Sequence, residues 1–269
     1  MTFSALAYRC GLVRAAAILA LAFSLAVAFA PVVRAQDHDH AMHERAGHEG
    51  MNMPAQPADP AAAAAERAMR LAWKKESEAN HHIAGVLVII AGLFILAEPA
   101  FRQRFPFLRF IWPLCFLFAG IYLLIFSDTE LWPFGSQSWW YGLTHNMEDL
   151  QHKTFAVILL GLAYVEIQRA RGILKAAWAA AVFPVLAVFG SILLLFHEHH
   201  GGMGGADHMA HMAVMHRIQS EHLAFSITGI AIALSKGLSE VRFSWRSLFA
   251  KLWPALLIVL GILLTLYKE

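Results

Sequence analysis

Past a first apolar run near the start, hydrophobic residues fall into six further blocks, at about 82–98, 109–126, 154–168, 177–196, 222–236 and 253–267. Polar, charge-bearing stretches separate them. A helix needs roughly 20 apolar residues to cross a bilayer. Several of these blocks are shorter, so helical extension into both interfaces is expected. The pattern predicts an all-α fold: a polytopic bundle of about six transmembrane helices, occupying residues 81–269.

The first apolar run, Ala15 to Ala30, reads as a secretory signal over residues 1–35. Arg9 and Arg14 give it a weak basic start. Pro31 and Val33-Arg34-Ala35 offer a small-residue cleavage site before Gln36. Without cleavage the segment becomes an anchor helix; in both cases the chain from Gln36 onward is exported. Basic residues check the orientation. Arg102, Arg104, Arg109, Arg169, Arg171, Lys175, Lys236, Arg242, Arg246 and Lys251 fall in the loops after the first, third and fifth spans. The short opposite loops hold Lys153 and Arg217. The basic loops are expected inside and both mature termini outside.

That topology sorts the chemistry. All 15 histidines, and every methionine after the initiator, fall on the outer side. Imidazole suits copper, zinc, nickel and iron, whereas thioether sulfur is soft and selects Cu(I). Histidine avoids lipid in any case, and the outer segments are the longer ones. Methionine is tolerated in apolar interiors, so its absence from the predicted mature spans says more.

Charge and cysteine content narrow the function. A net charge of +2, sorted by side, gives no nucleic-acid footprint. Of the two cysteines, Cys10 lies in the signal and Cys115 stands alone in the second span, so no intramolecular disulfide or CxxC site is expected in the mature chain. There is no phosphate-binding G-x-x-x-x-G-K-[ST] loop. The reading is of a binding or transport protein rather than an enzyme or an ATP-driven pump.

Residues 36–60 carry His38, His40, Met42, His43, His48, Met51 and Met53 among Asp, Ala and Pro. Such composition reads as a disordered exported tail that binds metal loosely, or as a solvated spacer. Residues 61–80 are rich in helix formers and predict a lead-in helix to the first span.

The spans open and close on candidate ligands. His81 and His82 begin the first, with His82 favoured as a ligand; the alternative is an interfacial pair in the headgroups. His145, Glu148 and His152 would share one face of a helix entering the third span. The aromatic run Trp139-Trp140-Tyr141 reads as an interfacial belt. Glu98 and Glu166, near the inner ends, are expected to pair with Arg102 or Arg169 rather than line an exit. The loop at 197–222 is densest. His197, His199 and His200 precede a glycine-rich bend, Gly201-Gly202-Met203-Gly204-Gly205, that holds Met203. Asp207, a reasonable N-cap, introduces His208, Met209, His211, Met212, Met215 and His216, and His222 opens the fifth span. On a helix, His208, Met212 and Met215 share a face, and His211, Met215 and His222 an adjoining one. A mixed His/Met loop favours copper over zinc, which does not need thioethers. His82, His152, His197 and His222 would meet at one mouth if their helices adjoin.

Four short motifs resemble the copper-resistance protein D type of membrane protein. They are His81-His82-Ile83-Ala84-Gly85, Gln151-His152-Lys153-Thr154-Phe155, Leu195-Phe196-His197-Glu198-His199 and Glu221-His222-Leu223-Ala224-Phe225. The likeness runs from His81 to Glu240, over the bundle and not the tail. Members of that family often have about eight spans, more than the pattern gives here. The resemblance implies copper handling at a bacterial inner membrane, with metal-binding loops on the periplasmic side and a periplasmic copper carrier as partner. Two other readings stand beside it. One is a b-type cytochrome with haem between two histidines; the other is a membrane scaffold with a metal-buffering tail.

Overall fold

The computed structural model describes residues 60–196 and 208–268. The signal, almost all of the 36–60 tail, Asp207, and the candidate ligands His197, His199, His200 and Met203 lie outside the described residues. The described chain is all-helical: α1 (Pro60–Phe101), α2 (Leu108–Phe126), a short α3 (Trp139–His145), α4 (Met147–Ala170), α5 (Ala179–Leu194), α6 (His208–Glu240) and α7 (Arg246–Thr265).

Five of these hold segments long and apolar enough to cross a membrane: Arg67–Phe101, Leu108–Phe126, Met147–Ala170, Val214–Glu240 and Arg246–Thr265. The sixth predicted span, α5, has 16 helical residues. At 1.5 Å per residue it is about 24 Å long, against the roughly 30 Å of a hydrocarbon core. The expected extension beyond the apolar blocks is present. The lead-in segment and first span are one continuous helix of 42 residues, and α6 begins at His208, fourteen residues before the apolar block it carries. Bulky apolar side chains such as Leu93, Phe118, Val157, Ile227 and Val259 face outward and exposed along the helices, as lipid contact requires.

The six long helices close into a ring. α1 packs on α2, α2 on α4, α4 on α5, α5 on α6, α6 on α7, and α7 back on α1. Small residues set the closest approaches. A Cβ on Gly85 would stand 2.7 Å from Gly261 O, and one on Gly261 would stand 2.7 Å from Gly85 O. Backbone of α1 therefore lies against backbone of α7, the close approach that glycine permits in membrane helices. The aromatic core, Trp112, Phe116, Phe183 and Trp253, interlocks edge to face at 5.6–6.3 Å.

The two ends of the ring differ in chemistry. At one, Glu166 pairs with Arg169 (2.8 Å), as expected from the sequence, and Arg169 reaches Glu240 (3.0 Å), which also holds Lys236 (2.5 Å). At the other, the middle of α1, the end of α2, the start of α4 and the end of α7 come together. Asn80 Nδ2 donates to Ser127 O (3.4 Å), His152 meets Asp128, and His82 bonds Tyr267 O.

Candidate functional site

The helix ring encloses a cavity of about 270 Å³. Its walls come from all six long helices and are almost wholly apolar. Its polar lining is Asn80 and His81 from α1, His152 from α4, Ser191 from α5 and His222 from α6. The histidine end of the bundle thus opens onto the cavity.

Each of the three histidines has its tautomer fixed by an acceptor. His81 Nδ1–H donates to Ser77 O (2.8 Å) and His222 Nδ1–H to Ile218 O (2.8 Å), each a carbonyl one turn back on its own helix. His152 Nδ1–H donates to Asp128 Oδ1 at 2.6 Å. A carbonyl or carboxylate can only accept, so in each neutral ring the lone pair resides on Nε2. Metal-ligating histidines are oriented in this way, with one nitrogen on a backbone carbonyl or carboxylate and the other offered to the metal. His81 also stacks on Tyr267 (4.0 Å between ring centroids) and meets His222 edge-on at 5.8 Å.

Asp128 organises this end. Besides His152, its carboxylate takes Lys153 Nζ (2.6 Å) and Ser127 Oγ (2.6 Å). Burial alone would push the Asp128 carboxyl up. The His152 hydrogen bond and charge, with the hydrogen bonds from Lys153 and Ser127, outweigh it and hold the group below the usual carboxylate range. Lys153 is buried with it and lies 5.4 Å over the Trp139 ring.

Among the described residues, the group whose donor atoms all lie within 4.8 Å of one another is acidic: Asp128, Glu130 and Asp149. Carboxylate oxygens suit hard cations. The three histidines are not gathered as tightly.

Several expectations change here. The structure puts His81, not the favoured His82, on the cavity. His82 turns aside, and its Nε2 is bonded to Tyr267 O at 3.0 Å. His145, Glu148 and His152 do not share one helix. Asn146 takes an extended conformation (φ −124°, ψ 113°), ends α3 and caps α4 by accepting from Glu148 N. His145 stays exposed, stacked on Tyr141 at 4.4 Å. The backbone from His208 is helical, which puts His208, Met212 and Met215 in register on one face and His211, Met215 and His222 on the next. Met209 shares that helix. Met215 is half-buried and His216 exposed. Sequence reasoning missed Asp128, Lys153 and Tyr267 as partners. The one signal was a lysine beside His152 at the mouth of an apolar run, which demands a counter-charge.

The fold and site define an all-helical multi-pass membrane protein, five of its helices long and apolar enough to span a bilayer, around a largely apolar cavity with histidines at one end. Comparison with protein-family models, curated proteins and solved structures gave no match.

Proposed function

We propose that this chain is a copper-handling membrane protein related to the copper-resistance protein D type. In this reading the histidine end is the periplasmic face of a bacterial inner membrane. The His/Met segments capture copper there, and His81, His152 and His222 form the transfer site at the cavity mouth. The protein takes part in copper transport or tolerance, with a periplasmic carrier as partner.

One observation carries the reading: three imidazoles from three helices line one cavity, each with Nδ1 on an acceptor and its lone pair on Nε2. The sequence of the helix just before His222, with His208, His211, Met212 and Met215, supports it, because a mixed imidazole and thioether composition favours Cu(I). The cytochrome reading gains less support. A space of about 270 Å³ sits below the roughly 300–1,000 Å³ of ordinary ligand pockets, small for a macrocycle.

Copper tolerance of cells carrying the chain tests the proposal. Tolerance survives removal of residues 36–60 and is lost in His152→Ala or His222→Ala. Tolerance that vanishes with the tail and ignores both histidines would reduce the bundle to a scaffold for a metal buffer.

A further inference from the structure

Copper handling uses Asp128 to orient His152 and leaves the rest of the acidic group unexplained. Asp128 and Glu130 come from the connection between α2 and α3, and Asp149 from the first turn of α4. One carboxylate oxygen from each lies within 4.8 Å of the other two. Oxygens on opposite sides of a calcium ion, about 2.3–2.6 Å from it, stand about 4.6–5.2 Å apart. The three therefore fit one coordination sphere.

Two buried oxygens point to an ion there. Asp149 is 1% exposed. Asn146 Nδ2 donates to its Oδ1 (3.0 Å), but no described group donates to its Oδ2. That oxygen is seated over Gly142, where a Cβ would stand 2.6 Å from it. Asp128 and Glu130 both repel its charge. Glu76, on α1, repeats the pattern. Its Oε2 accepts from Thr129 Oγ1 (3.0 Å), its Oε1 is buried with no hydrogen bond, and the same two carboxylates repel it. Burying a carboxylate oxygen without a donor is costly. Among the described residues, the positive groups bonded to these four carboxylates are Lys153 and the His152 ring, both on Asp128. Asp128 Oδ1 accepts one hydrogen bond, from His152, and a carboxylate oxygen has room for two. A proton held between Asp149 and Glu130 is the alternative counter-charge. It links two oxygens, whereas three converge here and Glu76 stands beside them.

We infer that Asp128, Glu130 and Asp149 bind a hard divalent cation of calcium size, with Glu76 as a further carboxylate at its edge. The ion ties the connection after α2 to the start of α4, the segment that carries His152. All-oxygen ligation suits calcium and not Cu(I). The site does not depend on the copper reading, and either can fail alone.

The test uses the purified full chain in detergent, stripped with EDTA and titrated with CaCl2. Thermal unfolding is one readout. Luminescence of Tb3+, a calcium substitute, excited through tryptophan is the other. Trp139 is the local donor, its ring 5.4 Å from Lys153 Nζ, which bonds Asp128. The expected result is an unfolding temperature that rises with Ca2+ and saturates, and Tb3+ luminescence that Ca2+ displaces. Half-saturation shifts by about tenfold or more in Asp149→Asn and in Glu130→Gln, because affinity follows the charge of the ligand set. Asp149→Asn removes a repelling charge, so the calcium-free variant is expected to be at least as stable as the natural chain, and Glu130→Gln keeps the test sound if it is not. Two results would overturn the inference. A natural chain that ignores Ca2+ would leave a shared proton as the counter-charge. Equal binding by the natural chain and both variants would put the ion elsewhere.

Discussion

Asp128 holds His152 by a 2.6 Å contact from carboxylate to Nδ1. Its other oxygen takes Lys153 at 2.6 Å. Asp128 therefore orients a candidate ligand and neutralises a buried cation at once. In Asp128→Asn the Lys153 charge loses its partner. Breaking a buried pair costs about 3–5 kcal/mol, and removing a ligand's supporting carboxylate weakens metal binding about 10–100-fold. Thermal unfolding in detergent and a Cu(I) competition assay read the two effects.

The same carboxylate sets an acid limit. Its folded pKa is lowered, so its contribution to stability is fully present above the unfolded carboxylate value of about 3.9. That contribution is lost as pH falls through the lowered folded value. The metal-free protein is expected to lose stability below about pH 4, and Asp128→Asn to show a shallower slope in that window. Unfolding midpoints from pH 3 to 7 check this.

Neighbouring histidines on α1 are expected to behave differently. His81 lines the cavity, while His82 is tied to Tyr267 O. His81→Ala should weaken Cu(I) binding by at least tenfold and His82→Ala by much less. Equal losses would put the ligand set elsewhere on α1.

The α1–α7 seam depends on absent side chains. Gly261→Val places new carbon within 2.7 Å of the Gly85 carbonyl. Overpacking of this kind costs about 1–3 kcal/mol, read as a lower unfolding temperature in detergent. Gly161→Ala, where a Cβ in mid-helix meets nothing within 4 Å, should leave that temperature unchanged or raise it slightly, because alanine is the better helix former.

Much of this molecule was legible in its sequence, for physical reasons. Apolar blocks dictate helices, and an even number of them returns Tyr267 to the end where α1 presents His81. Positions at the helix mouths announced His152 and His222 as polar groups needing partners. The side chain that turns inward was harder to read. His81 and His82 are adjacent on one helix, about 100° apart, and ring closure by α7 decides which of them sees the cavity. The break at Asn146 was hidden because periodicity continues across it from His145 to His152. The cavity has no sequence signature, since its lining is ordinary apolar helix. Asp128 and Lys153 sit 25 positions apart and meet only because α2 packs on α4.

Sidedness has its own test. With Cys10 and Cys115 replaced, single cysteines at Ser138 and Gln219 should react with an impermeant maleimide from the periplasmic side. Cysteines at Gln103 and Arg171 should react only after the membrane is opened. The reverse pattern would put the histidine end in the cytoplasm.

The most direct test of copper handling is the Cu(I) content of purified protein lacking residues 36–60, loaded anaerobically beside a Zn(II) control and examined for a Soret band. A copper-handling bundle gives stoichiometric Cu(I), weaker zinc, no Soret band, and loss of copper in His152→Ala and His222→Ala. Copper-free truncated protein, or copper retained by both variants, would contradict it.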